Sequence, residues 1–365
     1  MILMMKDTKV LETNKDGSIT IYEEKLLPFS LQKEDLTYED FFFNWLAIRP
    51  LSIGRTNAKT ILNNAGIPQN PLTIARICHG MNLSDCYWVK ERGENTAWDK
   101  DNLYDHDMDP FYADTALTGK THRLSKDKFH TPELTAQGVS AKCWIREDDG
   151  IYLYKVGRKE LPASEILDVL GIQHVQYEKA EHLKDYLSKE RIQKIEDAGE
   201  VIVRSKLLTN KKRGIIPFEE FAVYCANQDY EDEYKEAKKR DSKAYYEMQI
   251  ADYILNNSDR HVGNWGFYFD IDENKLQKMY PLMDHDHAFD EEEILLSQTW
   301  EGKTLFEAAY EAQKKLKLSI DKLLQIQKPQ YLTTTEWEQV RKRVKKLVNY
   351  PQPKGSGLLS NGSPD

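Results

Sequence analysis

The stretch 254–266 constrains this chain more than any other part of its sequence. A helix-like apolar segment ends there in a polar loop that carries Asp259 and, five positions later, Asn264. Two strand-like runs separated by a polar turn follow, and the second run leads directly into Asp284. A hairpin of this kind would return Asp284 to the side of Asn264. We therefore expect a helix, a loop and a hairpin to bring three polar side chains together.

The spacing of these three residues indicates a particular chemistry. An Asp, an Asn at plus five and a second Asp after a hairpin form the polar set of kinase-type phosphoryl transfer. Asp259 is predicted either to accept the proton of an acceptor hydroxyl or to orient that hydroxyl, while Asn264 and Asp284 would bind Mg²⁺ on the phosphates of ATP. A polar turn explains one aspartate, but not this order of three residues. Asp286 and two histidines follow closely, yet one short segment rarely closes a zinc site.

Composition favours an ordinary globular protein inside the cell. The 365 residues suffice for roughly two domains, and the net charge of −9 argues against a nucleic-acid-binding body. The four cysteines show no CxxC pair, which suits a reducing cytoplasm. No run reaches the roughly 20 apolar residues of a membrane span. We expect a cytoplasmic protein with no signal peptide, no membrane anchor and no direct nucleic acid binding.

The order of predicted elements indicates an α+β fold with a small β-rich lobe, a helical lobe and a cleft between them. The expected parts are an N-terminal α/β extension that serves as a recognition unit (1–123), the β-rich lobe (124–210), the helical lobe (211–350) and a disordered tail (351–365) rich in Gly, Ser, Asn and Pro. Predicted strands include 139–145, 151–156, 174–177, 200–207, 265–269 and 278–283, and predicted helices include 162–170, 218–227 and 242–256. The aspartate-rich stretch 95–110 lacks the glycine and terminal glutamate of a calcium loop, so we interpret it as a solvated loop.

The β-rich part offers candidates for phosphate binding. Residues 135–142, here called the nucleotide loop, combine one glycine with hydroxyl groups and a lysine, and backbone N–H groups in such a turn can face phosphate oxygens. The candidate contacts are Gln137, Gly138, Val139, Ser140 and Lys142. A polar approach to a hairpin is an equally good interpretation of this loop alone.

Lys155 is the second candidate, because it ends an apolar strand. A lysine there can neutralise phosphates and pair with a helix carboxylate, either Glu160 or Glu165. The alternative is an edge-strand lysine that deters aggregation.

These residues carry a family resemblance. The strings NNSDRHVGNWGFYFD and PLMDHDHAFD resemble the HipA-like serine/threonine kinases, and AQGVSAKCW and IYLYKVG are similar to the nucleotide-loop and lysine strands of that group. The Asp-Arg-His order is also similar to the catalytic loop of phosphatidylinositol 3- and 4-kinases. The resemblance covers roughly residues 130–325.

The resemblance implies a two-lobed protein-kinase-like fold with ATP and Mg²⁺ as cofactors. It implies that Asp259 is the base, that Asn264 and Asp284 bind magnesium, and that Lys155 contacts phosphate. It also favours Glu160 as the partner of Lys155. An adenine-contacting hinge is implied near Lys206 to Leu208, with Lys206 and Leu208 as its candidate residues.

Two departures limit what the resemblance implies about biology. The nucleotide loop lacks the usual run of glycines, and the N-terminal extension is closer to shorter, CtkA-type members. A toxin role with a DNA-binding, antitoxin-like partner is therefore not inferred. The leading hypothesis is a kinase that phosphorylates serine or threonine in a protein substrate, including itself. The alternatives are a phosphoinositide kinase and a nucleotide-binding module without chemistry.

Overall fold

A computed structural model describes residues 1–33, 36–125, 131–289 and 295–350. Its strands are β1 (Ile2–Met5), β2 (Thr8–Thr13), β3 (Ile19–Ile21), β4 (Tyr87–Lys90), β5 (Lys142–Glu147), β6 (Gly150–Val156), β7 (Glu178–Lys179), β8 (Ile202–Lys206), β9 (Arg213–Pro217), β10 (Gly266–Asp270) and β11 (Lys275–Met279). Its α-helices are α1 (Glu39–Ala47), α2 (Ala58–Ala65), α3 (Pro71–Ile77), α4 (Trp98–Asp101), α5 (Pro110–Thr118), α6 (Glu160–Leu170), α7 (Lys189–Asp197), α8 (Phe218–Asn227), α9 (Glu233–Arg240), α10 (Ser242–Leu255), α11 (Leu305–Leu316) and α12 (Thr334–Asn349). The tail predicted to be disordered, 351–365, lies outside the described residues.

The strands form three small sheets, and every pairing between named strands is antiparallel. The strand orders are β3-β2-β1-β4, β5-β6-β8-β7 and β11-β10-β9. The predicted mixture of helices and small sheets is therefore confirmed. Within the described residues, no helix is both long enough and apolar enough to span a bilayer.

The hairpin of β5 and β6 determines where two lysines lie. Asp148 and Asp149 form its turn, and Gly150 follows at φ +153°. The register places Lys142 directly opposite Lys155. Because directly opposed residues of antiparallel strands project on the same face, the two lysines are cross-strand neighbours.

Two predicted strands differ from the observed ones, for a shared reason. Residues 174–177 belong to no named strand, and β11 ends at Met279 instead of continuing to 283. The two segments instead meet each other in a short parallel bridge between His174 and Leu282. Leu282 N–H donates to Gln173 O (3.1 Å), and Val175 N–H donates to Leu282 O (2.8 Å). The apolar pattern of both segments is satisfied by this pairing, which brings the chain before Asp284 close to the end of α6.

A single buried apolar cluster joins the first sheet to the helices around α10. It includes Leu3 and Trp88 from the first sheet, Phe29, and Phe269 from β10. The rings of Phe29 and Phe269 lie 5.3 Å apart, nearly perpendicular. Residues of the first 123 positions thus pack directly on the hairpin that follows the 254–266 stretch.

Candidate active site

Lys155 is buried at the centre of a group of three carboxylates. Its ammonium forms ion pairs with Glu160 at the start of α6, with Asp284 (2.8 Å) and with Asp286 (3.2 Å). The Lys155 side chain is only 2% exposed. Of the two candidate partners that the sequence offered, Glu160 makes the contact, whereas Glu165 is exposed.

The charges of this group are mutually dependent. Burial by itself would lower the pKa of Lys155, but the carboxylates of Glu160 and Asp284 outweigh burial and raise it above its usual value. Burial would raise the pKa of Asp284, yet Lys155 and Lys142 outweigh burial and lower it well below its usual range. The pKa of Asp286 is raised because burial exceeds the attraction of Lys155. The cluster therefore keeps Lys155 charged and Asp284 ionised.

His285 secures Glu160 from the other side. The backbone N–H of His285 donates to one carboxylate oxygen of Glu160 (3.0 Å), and Nδ1 lies 3.2 Å from the other. Both side chains are fully buried. Asp284 itself has φ +59°, a left-handed conformation that is uncommon outside glycine and is often retained at functional sites.

Lys142 contrasts with Lys155, because its amine has no hydrogen bond or ion pair within the described part of the chain. Lys142 is 8% exposed, and burial lowers its pKa to about 8, with Asp284 opposing the shift and Lys155 adding to it. A Cβ built on Gly138 would lie 2.6 Å from Lys142 Nζ, and Gly138 has φ +85°. A side chain at position 138 would therefore be strained and would collide with the amine.

Arg260 holds together the two segments that carry the predicted metal ligands. It is 2% exposed and forms a buried ion pair with Asp252 of α10 (3.0 Å). Its Nη1 donates to the carbonyls of Asn264 (3.1 Å) and Met283 (2.6 Å). One guanidinium group thus fixes the loop after α10 and the residue before Asp284 relative to each other.

Asn264 and Asp259 differ in how they face the site. The side-chain amide of Asn264 donates to Asp259 O (2.9 Å), and Asn264 Oδ1 accepts no hydrogen bond from a described residue. The Asp259 side chain is 43% exposed, and its nearest ionic neighbour is His261 Nε2, 3.9 Å away. Asn264 thus offers a fixed, buried oxygen ligand, while the Asp259 side chain is open to solvent.

These elements surround a cavity of about 830 Å³. Among the predicted site residues, it is lined by Gln137, Gly138, Lys142, Lys155, Lys206, Leu208, Asn264 and Asp284. Val139, Ser140, Glu160 and Asp259 do not line it.

Several predicted residues face solvent or form their contacts outside the cavity. Val139 points outward and is 72% exposed. Ser140 donates to Asp286 (2.8 Å), which links the nucleotide loop to the segment after Asp284. Lys206 belongs to the lining, but its amine extends to Asp149 (2.9 Å) on the surface.

Much of the cavity wall comes from the first 123 residues, which the sequence did not associate with this site. These wall residues are Trp45, Ala47, Ile48, Arg49, Pro50, Leu51, Ser52, Ile53, Gly54, Pro71, Asn82, Leu83, Ser84 and Asp85. Tyr177 was also missed, and it places its ring 5.4 Å from Lys155 Nζ. Asp252, the partner of Arg260, was missed as well, and its sequence signal is an ionisable residue within the apolar stretch 250–255 of α10.

The donor set fits a hard divalent cation. The carboxylate oxygens of Glu160, Asp284 and Asp286 lie within 4.8 Å of one another. The Glu160 side chain is fully buried, whereas that of Asp284 is 30% exposed, so Asp284, with Asn264 lining the same cavity, offers the more accessible oxygens. Magnesium prefers one or two carboxylates combined with substrate phosphates.

Comparison with known proteins adds evidence about the fold. No family model matches the chain, and no curated protein matches it. Among solved structures, the Helicobacter pylori proinflammatory kinase CtkA aligns at a TM-score of 0.40 with 13% identity, over 56% of this chain and 89% of that one. HipA of Shewanella oneidensis MR-1, solved in a complex with HipB and operator DNA, aligns at a TM-score of 0.50 with 11% identity, over 96% of this chain and 91% of that one. The likeness to HipA extends over nearly the whole chain, and at 11% identity it is a likeness of fold alone.

Proposed function

We propose that this protein is an ATP- and Mg²⁺-dependent phosphotransferase of the HipA-like type that phosphorylates serine or threonine in proteins, including itself. The observation that carries the proposal is the pair of opposed buried lysines, Lys142 and Lys155, which both line the cavity. Directly opposed like charges destabilise a strand pair, and a buried amine without a partner costs free energy. A polyanionic ligand removes both costs.

The remaining residues receive roles in keeping with their positions. Lys142 and Lys155 would bind phosphate oxygens, and Glu160 would keep Lys155 in place. Asn264 and Asp284 would hold the metal ion, which supplies charge neutralisation on the transferred phosphoryl group. Asp259, which is open to solvent and lies outside the cavity lining, would orient the incoming hydroxyl and accept its proton. Leu208 and the backbone near Lys206 would contact the base.

The proposal includes the arrangement of the chain. Residues 124–210 would form the smaller lobe and 211–350 the helical lobe, with residues 1–123 as an extension that reaches the cleft. The HipA likeness supports this arrangement as a fold. The acceptor class is supported by the residue-level resemblance alone.

The direct test measures transfer of labelled phosphate from ATP, with Mg²⁺, to the protein itself, to a generic protein substrate and to inositol lipids. Asp259→Ala should lower transfer by at least about a thousandfold while the unfolding midpoint stays unchanged, because Asp259 is half-exposed and loses only its contact with the acceptor. Asp272→Asn, which removes an exposed carboxylate (60% exposed) from the β10–β11 turn, is the matched control.

The three acceptors separate the candidate functions. Transfer to lipid alone would replace the protein kinase with a phosphoinositide kinase. Binding of ATP without transfer to any acceptor would indicate a nucleotide-binding module. Equal transfer by the wild type and Asp259→Ala would contradict the assigned base.

A further inference from the structure

A short segment of the N-terminal extension donates hydrogen bonds to backbone carbonyls in the nucleotide loop and just before it. Leu51 N–H donates to Leu134 O (2.7 Å), and Thr56 N–H donates to Val139 O (2.8 Å). These two bonds attach residues 48–57, here called the clamp segment, to both ends of residues 134–139.

Arg55 strengthens the same attachment from within. It is 3% exposed, and its guanidinium donates to Glu133 O (3.2 Å) and Ala136 O (3.3 Å). Asn82 adds a bond to Thr135 O (3.4 Å). The carbonyls of residues 133, 134, 135, 136 and 139 therefore all accept hydrogen bonds from the first 123 residues.

The side chain of Gln137 makes the attachment reciprocal. Its amide donates to Ile48 O (3.0 Å) and to the carbonyl of Pro50. Arg55 has no carboxylate within hydrogen-bond distance among the described residues, and its Nε has no partner in that set. A buried cation bound mainly to carbonyl oxygens is expensive to desolvate, so its placement here serves the loop rather than a separate ion pair.

The bonding pattern of the loop backbone is one-sided. None of the N–H groups of residues 137–140 donates to any residue that the structure describes, whereas most nearby carbonyls are occupied by the clamp segment. Phosphate oxygens are repelled by carbonyl oxygens and attracted by N–H groups. Holding the carbonyls away leaves the N–H groups available to an anion in a loop that contains a single glycine.

We propose that the clamp segment is a working part of the nucleotide site, with Arg55 as the positioning residue that presents the nucleotide loop to the phosphates of ATP. The inference rests on the proposed function, because it assumes that this cavity binds ATP. It assigns to the N-terminal extension a share in nucleotide affinity, in place of a separate recognition role alone.

The test uses the full-length protein and Arg55→Met. The KM for ATP and the directly measured Kd for ATP with Mg²⁺ should rise about tenfold, as expected for losing hydrogen bonds from a charged donor, with kcat within about twofold. Arg76→Met, which removes an exposed arginine from α3 of the same extension, should change neither constant. Asn82→Ala should give a smaller rise in Kd, and it provides the test if Arg55→Met does not fold.

Amide hydrogen exchange gives a second measurement that needs no catalysis. The N–H groups of Leu51 and Thr56 should exchange faster in Arg55→Met than in the wild type or in Arg76→Met, because their acceptor carbonyls are released. Unchanged ATP affinity in folded Arg55→Met and Asn82→Ala would overturn the clamp while the kinase proposal stands. A wild-type protein that binds no ATP would overturn the proposed function, and with it the role of the clamp segment in nucleotide binding.

Discussion

Lys142→Met offers the sharpest test of the phosphate site, because it should make the protein more stable and less able to bind ATP. Burial lowers the pKa of Lys142 from 10.5 to about 8, which corresponds to a cost of about 3 kcal/mol for holding the charged amine at neutral pH. Methionine has a similar length and no charge, so at pH 7 the free energy of unfolding should rise by up to about 3 kcal/mol.

The pH dependence of stability has a definite sign. Between pH 8 and 10.5 the unfolded chain binds a proton at Lys142 that the folded chain does not, so stability due to this residue increases as pH rises through that interval. The gain from Lys142→Met should therefore be full below pH 8 and should shrink towards pH 10.5. Urea unfolding of both proteins at pH 7 and pH 10 measures the difference.

The same substitution, Lys142→Met, should weaken ATP binding although it stabilises the fold. Loss of one charge-assisted contact to phosphate should weaken ATP binding by about 2 kcal/mol, roughly thirtyfold in Kd. At pH 8, where Lys142 is half-protonated, binding should take up about 0.5 proton per ATP, and at pH 7 about 0.1. Calorimetry in two buffers of different ionisation enthalpy measures this uptake, which should vanish in Lys142→Met. A variant that is less stable than the wild type, or that binds ATP equally well, would refute the assignment of Lys142 as an unpaired phosphate ligand.

Two further substitutions test the supports of the site. Glu160→Gln should lower the free energy of unfolding by about 3 kcal/mol in urea denaturation, because it breaks a buried ion pair with Lys155. Glu165→Gln, an exposed change on the same helix, should have almost no effect. Equal effects of the two substitutions would contradict the buried ion pair. Arg260→Lys should reduce kcat at least about tenfold, because lysine cannot bind Asp252 and both carbonyls at once; phosphate transfer at saturating ATP measures it, and an unchanged kcat would show that Arg260 does not position Asp284.

The pattern of local elements could be read from the sequence because local rules determine it. Helices α8 and α10 lie almost where their apolar spacing and caps placed them, and the β5–β6 hairpin follows its polar turn. The strand prediction for 174–177 was wrong, whereas the predicted hairpin of 265–269 with 278–283 was confirmed in part, with its second strand ending at Met279. Leu282, beyond the end of β11, pairs instead with His174, more than a hundred positions away.

The composition of the candidate site was only partly predictable. Lys155, Asn264 and Asp284 lie in or beside one cavity, as the spacing suggested. Sequence spacing left the choice between Glu160 and Glu165 open, and burial decided it. That Asp252 anchors Arg260 depends on a contact across eight positions, and α10 carries two buried acids, Glu247 and Asp252, between which the sequence does not choose.

By itself, the sequence determined the chemistry that is possible here, because residue types and short spacings specify which side chains can bind phosphate and metal. Tertiary structure decided which of them share a cavity and in what charge state. It placed Lys142 opposite Lys155, left one amine without a partner, and brought residues between 45 and 54 to the wall beside them. The physical reason is that desolvation and long-range packing depend on contacts between segments far apart in the chain, which no local pattern encodes.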